Sequence, residues 1–116
     1  MLKAAPAGRA IFVSTGVAVY PRAFWGAYAA TKSGMETLVR CWADEVEHTA
    51  VRAVIVDPGK MRTRMRAEAY PGEDPATLPD PSEIGPMMVE LASADQAAAW
   101  ARVEFSDWAS AGRATA

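Results

Sequence analysis

The sequence predicts an α/β fold built on parallel strands, and three observations carry that prediction. Two short apolar runs rich in β-branched residues, at 10–13 and 53–56, flank a long segment with a helical hydrophobic period. Each run is continuously apolar rather than alternating, the pattern of a strand covered on both faces. Strand, helix and strand in that order make a right-handed crossover, the connection that joins parallel neighbours.

Taken in order, residues 1–9 read as the tail of a helix and a turn, punctuated by Pro6 and Gly8. The first strand ends at Ser14-Thr15-Gly16. Residues 16–26 show no period, contain Pro21, and carry Tyr20, Phe24 and Trp25, an aromatic load unusual for a mere connector. The long helix then runs from about residue 27 to 48. At about 100° per residue, Met35, Val39, Trp42 and Val46 share the face of Tyr28. Lys32 lies on that apolar stripe too, where a bare charge is costly, while Ser33, Thr37, Arg40 and Asp44 occupy the polar side. A separate flank (Ala27, Ala30, Gly34, Leu38, Cys41) is read either as a packing surface within the chain or as a subunit interface, the second implying a homo-oligomer through the 27–48 helix.

The second strand, 51–57, closes at Pro58-Gly59. Residues 60–81 carry Pro71, Pro75, Pro79 and Pro81 around a short helix within 63–69, and read as a substrate lid. A helix over 82–92 follows, with Ser82 as N-cap and Met87, Met88 and Leu91 as its apolar positions. A further helical piece at 95–101, a last edge strand at 102–106 and a frayed tail at 110–116 complete the expectation.

The totals bound the function. A chain of 116 residues is one domain. Its net charge of −2 gives no general attraction to nucleic acid or an anionic membrane. A single cysteine, Cys41, permits no internal disulfide and no zinc spacing, so no metal is expected. No run reaches ~18 apolar residues, and a cytoplasmic setting is expected.

The chemistry converges on one edge. Ligands of open parallel sheets sit beyond the C-terminal strand ends. Here those ends are Ser14-Thr15 and Asp57-Pro58-Gly59, and the helix bearing Tyr28 and Lys32 begins nearby. Four-residue spacing stacks phenol over ammonium one turn apart, and a nearby ammonium favours a phenolate, which suits general acid/base work. A hydroxyl from Thr15 or Ser14 would hold a substrate oxygen where that proton moves.

These residues resemble the C-terminal half of a short-chain dehydrogenase/reductase, from residue 10 to 105. The family's Y-x-x-x-K falls on Tyr28 and Lys32, and its catalytic serine, thirteen positions before the tyrosine, falls on Thr15. Its P-G-x-x-x-T segment matches Pro58-Gly59-Lys60-Met61-Arg62-Thr63. The resemblance implies part of a Rossmann-like, doubly wound parallel sheet: its last βαβ unit plus a C-terminal edge strand. It also implies NAD or NADP as cofactor and a small carbonyl or alcohol substrate. Tyr28 would then be the acid/base and Lys32 would bind the nicotinamide ribose. Pro58, Gly59, Met61 and Thr63 would meet the carboxamide and diphosphate side. Ser14, Trp25 and Arg64 are candidates to touch substrate. Threonine at the serine position keeps the hydroxyl and adds a methyl group.

The family's glycine-rich turn belongs upstream of Met1, and no G-x-G-x-x-G occurs in this sequence. A second reading is therefore an inactive piece or oligomerisation module lacking the cofactor-binding half. Among the remaining residues, Arg62, Arg64 and Arg66 form a basic turn that could meet an anion. Glu73-Asp74 reads as solvated loop, and His48 as a partner of the helix C-terminal dipole.

Overall fold

The computed structural model describes residues 6–111. The expected helix tail at residues 1–5 and the frayed tail over 112–116 lie outside the described residues. Three parallel strands, β1 (Arg9–Val13), β2 (Arg52–Asp57) and β3 (Trp100–Glu104), form one sheet in the order β1-β2-β3. The register pairs Phe12 with Ile55 and Ile55 with Arg102. Helix α1 (Gly26–Glu45) crosses from β1 to β2; α2 (Arg64–Ala69), α3 (Gly85–Ser93) and α4 (Phe105–Ser110) follow.

Two apolar clusters explain the layering. On one face Val39 and Ala43 of α1 pack on Ala53 and Ile55 of β2, with Phe12, Met35 and Trp42 around them. On the other, Met87 of α3 packs on Val54 and Val56, joined by Ile11, Leu91, Phe105 and Trp108. Alternate β2 residues thus feed opposite layers, the period-two consequence of the pleat. Fully burying each of Val54, Ile55 and Val56 contributes about 1.5–3 kcal/mol.

The α/β class with a parallel sheet is what the sequence implied, with four local corrections. β1 is only half-buried and Val13 is 47% exposed, because β1 pairs on one side alone; the fully covered strand is β2. Helix α1 stops at Glu45, short of His48. Thr49 turns the chain there, its hydroxyl donating to the Val46 carbonyl at 2.6 Å and accepting from the Val51 N–H at 3.1 Å. The helix expected to start at Ser82 is capped by Asp80 instead. Asp80 accepts from the Ser82 N–H, and Glu83 accepts from the Asp80 N–H, a capping box that opens a 3₁₀ turn leading into α3.

The last correction concerns residues 95–110. The expected helix at 95–101 is extended chain leading into a strand, because the β2 ladder reaches back to the Ala99 carbonyl and the Gln96 amide donates to the Ala53 carbonyl. Residues 105–110, in turn, are helix. Phe105 and Trp108, three apart, stack at 6.1 Å and both join the α3 cluster, so period three outweighs period two there. Ser110, the first residue of the expected tail, closes α4.

Candidate active site

Parallel strands place their C-terminal ends along one edge, and a cleft of about 580 Å³ opens there. Ser14, Thr15, Trp25, Tyr28, Lys32, Pro58, Gly59, Met61 and Thr63 all line it. Residues from both strand ends, from the first turns of α1 and from the segment before α2 therefore meet in one space.

Tyr28 sits in the first turn of α1, its ring edge-on to Trp25 at 5.8 Å. Lys32 answers the question its position raised. Its Nζ donates to the Val13 carbonyl at 3.2 Å, so the ammonium is held at the end of β1 beside the cleft. The loop before α1 enters through Phe24 at φ 71°, a left-handed conformation rare for a bulky side chain, and leaves that ring wholly exposed.

Thr15 caps a 3₁₀ turn, Gly16–Ala18, its Oγ1 accepting from the Val17 N–H at 3.4 Å and keeping its own hydrogen to donate. Ser14 is buried, and its hydroxyl donates to Glu36 at 2.5 Å. Across the cleft, Pro58-Gly59 bends back through an Asx turn, with Asp57 Oδ1 accepting from the Gly59 N–H at 2.9 Å. Gly59 has φ +71°, and a methyl group there would meet nothing within 4 Å. Gly59→Ala should thus cost about 1–2 kcal/mol through backbone conformation alone, readable as a lowered thermal midpoint.

Thr63 caps α2, Oγ1 accepting from the Arg66 N–H at 3.1 Å. Met61 is buried. Arg64 does not line the cleft; it points to solvent and pairs with Glu68 one turn on. Arg66 lines it but is engaged. Its guanidinium lies 3.8 Å over the Tyr70 ring and donates to both carboxylate oxygens of Glu73 at 2.8 and 2.9 Å. Glu73 is accordingly no solvated loop residue, and Asp74 caps a following 3₁₀ turn.

Beneath the cleft lies a group that the sequence reading passed over. Arg102 of β3 donates to Glu36 at 3.0 Å, approaches Asp57 at 3.6 Å and Glu104 at 3.3 Å, and donates to the Thr15 carbonyl at 3.0 Å. Burial alone would raise the Glu36 carboxyl, but hydrogen bonds from Arg102 and Ser14 outweigh it and hold Glu36 below the usual carboxylate range. One cation thereby ties the ends of all three strands together. A signal was available: at about 100° per residue Glu36 falls among Ala29, Val39 and Ala43 on the apolar side of the helix, and these four are the buried residues of α1.

Among the described residues no group of three or more His, Cys, Asp or Glu is arranged to hold a metal, and no helix is long and apolar enough to cross a membrane.

A parallel sheet with helices packed on both faces and a cleft at its strand ends is part of a Rossmann-like, doubly wound fold. Comparison with known proteins makes this specific: the short chain dehydrogenase family model matches residues 1–74, and the chain belongs to that family. It is 40% identical over 95 residues to the uncharacterized oxidoreductase YciK of Escherichia coli K12, covering 82% of this chain and 37% of that one. A crystal structure of a short chain dehydrogenase from Salmonella enterica serovar Typhi superposes with TM-score 0.82 at 34% identity, over 89% of this chain and 43% of the other. A short chain dehydrogenase from Shigella flexneri, complexed with NADP, gives 0.80 at 36% identity, covering 89% and 43%. The chain thus spans about two fifths of the length of these relatives.

Proposed function

We propose that this chain carries the acid/base end of a nicotinamide-dependent oxidoreductase acting on a carbonyl or alcohol. The observation that supports this most is the meeting of Thr15, Tyr28 and Lys32 at the mouth of one strand-end cleft. Tyr28 gives its phenolic proton to the substrate oxygen in reduction and takes it back in oxidation. The Thr15 hydroxyl donates to the same oxygen and holds it in place. Lys32, one turn from Tyr28, stabilises the phenolate left behind.

A nicotinamide, when bound, supplies or accepts the hydride. The donor set fits its ribose end. Lys32 has one of three ammonium hydrogens on Val13, leaving two for ribose hydroxyls, and Thr63 keeps its hydroxyl hydrogen for the diphosphate side. Pro58, Gly59 and Met61 provide the adjoining wall. The adenosine end has no glycine-rich turn in this sequence to receive it. NADP is the form named with the Shigella relative.

Residues 60–81 are the lid in this reading. Arg62 ties the segment back on itself, its N–H donating to the Pro79 carbonyl and its side chain to Pro75 and Leu78. Ala27, Ala30, Gly34, Leu38 and Cys41 are all exposed on one flank of α1, which supports self-association through that helix. The exposed free thiol of Cys41 and the bacterial relatives support a cytoplasmic setting.

Fluorescence titration of NADPH and NADH into the 116-residue chain, followed by ketone-dependent loss of the reduced cofactor's absorbance, tests the reading. Lys32→Met is expected to weaken cofactor affinity at least ~10-fold, the equivalent of about 1.4 kcal/mol. Unchanged affinity in that variant, or no ketone-dependent oxidation by the parent, would sink the proposal.

A further inference from the structure

The wall of the cleft names a class of substrate. We infer that it selects an uncharged, ring-bearing ketone or secondary alcohol, with Tyr70 as a specificity-determining residue. The inference rests on Tyr28 as the reacting phenol. Trp25 stacks nearly parallel on Tyr70, 12° apart in plane with ring centres 6.3 Å apart, and stands edge-on to Tyr28. A continuous aromatic wall therefore runs from the residue just after α2 to the proposed proton donor.

Three thioethers, Met61, Met65 and Met88, line the same space. Thioether sulfur makes favourable contacts at the edges of aromatic rings, and an unbranched methionine adapts to the shape it meets. Aromatic and thioether surfaces together reward a flat, polarizable body more than an aliphatic one of equal size.

Charge around Tyr70 argues the same way. The basic turn offered three arginines to an anion, and each is already matched. Arg62 donates to two carbonyls and lies 3.8 Å from Asp80, Arg64 pairs with Glu68 away from the cleft, and Arg66 is clamped by Glu73. The Arg66–Glu73 pair is more than two-thirds buried at both ends, so its charges cancel where the wall is built. Arg66 also lies over the Tyr70 ring that stacks on Trp25. Lys32 is engaged at Val13 and is assigned above to the ribose; Arg22 and Lys60 also line the cleft, but both are exposed, so water screens their charge.

Three ketones distinguish the possibilities: acetophenone, cyclohexyl methyl ketone of similar size, and 4-acetylbenzoate, which adds a carboxylate. Dissociation constants come from chemical-shift titration of the full 116-residue chain, a readout independent of turnover. Acetophenone is expected to bind about 2- to 10-fold tighter than the cyclohexyl ketone, the range of an aromatic pair beyond its area. 4-Acetylbenzoate should bind more weakly than acetophenone. Tyr70→Phe should keep the aromatic preference, and Tyr70→Leu should bring it close to one.

Acetophenone binding no tighter than its cyclohexyl counterpart overturns the inference. So does tighter binding of 4-acetylbenzoate, or a preference that survives Tyr70→Leu in a protein with native-like shift dispersion. The two readings fail separately. Turnover without an aromatic preference removes the substrate class and leaves Tyr28 in its role. Aromatic preference without turnover in the presence of NADPH removes that role and leaves the wall selective.

Discussion

Replacing Arg102 with methionine should cost about 3–5 kcal/mol of unfolding free energy, the range for stripping one partner from buried charges. The side chains involved are well covered: Arg102 is 16% exposed, Glu36 6% and Asp57 9%. Methionine keeps most of the volume and removes the charge, so the loss is electrostatic rather than a cavity. Glu36 would keep only Ser14 as a close donor, and Asp57 the Gly59 N–H. Glu104 contributes little to this figure, because it is half in water. Urea unfolding of the parent, Arg102→Met and Arg102→Met/Glu36→Gln measures the effect. The double variant should recover part of the loss, since the pair interacts directly. A loss below about 1 kcal/mol in the single variant would mean that the network is dispensable.

The pH dependence has a sign that only this network gives. In the parent, Glu36 is held below its ordinary range, so its contribution is complete above the unfolded carboxylate value. It is lost as pH falls through the folded one. Without Arg102, burial is opposed only by Ser14 and Arg40, and the folded value of Glu36 rises from where the parent holds it. The folded variant therefore binds more protons at Glu36 than the folded parent, and it loses less on acidification. The stability gap between parent and variant should therefore narrow as pH falls from neutral to about 4, near the ordinary glutamate range. A gap that stays constant or widens would assign the loss to packing instead. The consequence for function follows from the Thr15 carbonyl, which accepts from Arg102: loosening it frees the strand end that carries the hydroxyl proposed to hold substrate.

What the sequence disclosed and what it concealed divide along contact range. Lys32 stood out because four-residue spacing and the helical period are local, and its misplacement on the apolar stripe needed only α1 itself. Thr15 and Gly59 were legible because each ends an apolar run, and strand ends are where parallel sheets bind. Arg102 was hidden for the opposite reason. Its partner Glu36 lies 66 positions away, and only the register of β3 against β2 brings them together. Trp25 drew notice as an odd loop aromatic, yet Tyr70, the ring that stacks on it, had no local pattern to mark it. Glu73 reads as loop polarity until α2 places Arg66 against it. The misread helix at 95–101 had the same origin, whereas the edge strand expected at 102–106 is met by β3 over its first three residues. Ala-rich sequence favours helix locally, and pairing with β2 overrides it.

Tyr28→Phe should reduce the rate of ketone reduction about 10²- to 10⁴-fold, the usual contribution of a positioned acid/base, with much less change in ketone or cofactor affinity. Phenylalanine preserves the ring, so the edge-on contact with Trp25 at 5.8 Å persists, and stability should stay within about 0.5 kcal/mol. The split matters because Lys32→Met is expected to act mainly on cofactor affinity, and Tyr28→Phe on the chemical step. Single-turnover rates for the parent, Tyr28→Phe and Thr15→Val separate the two hydroxyls. Valine keeps the branched shape of threonine and deletes its donor; removing one such donor typically costs about 10²- to 10³-fold. If Thr15→Val matches the parent, the Thr15 hydroxyl does not hold the substrate oxygen. Ser14 is unsuited to replace it while its hydroxyl is committed to Glu36. If Tyr28→Phe matches the parent, the proton comes from elsewhere and the Y-x-x-x-K pair is only a feature of packing at the start of α1.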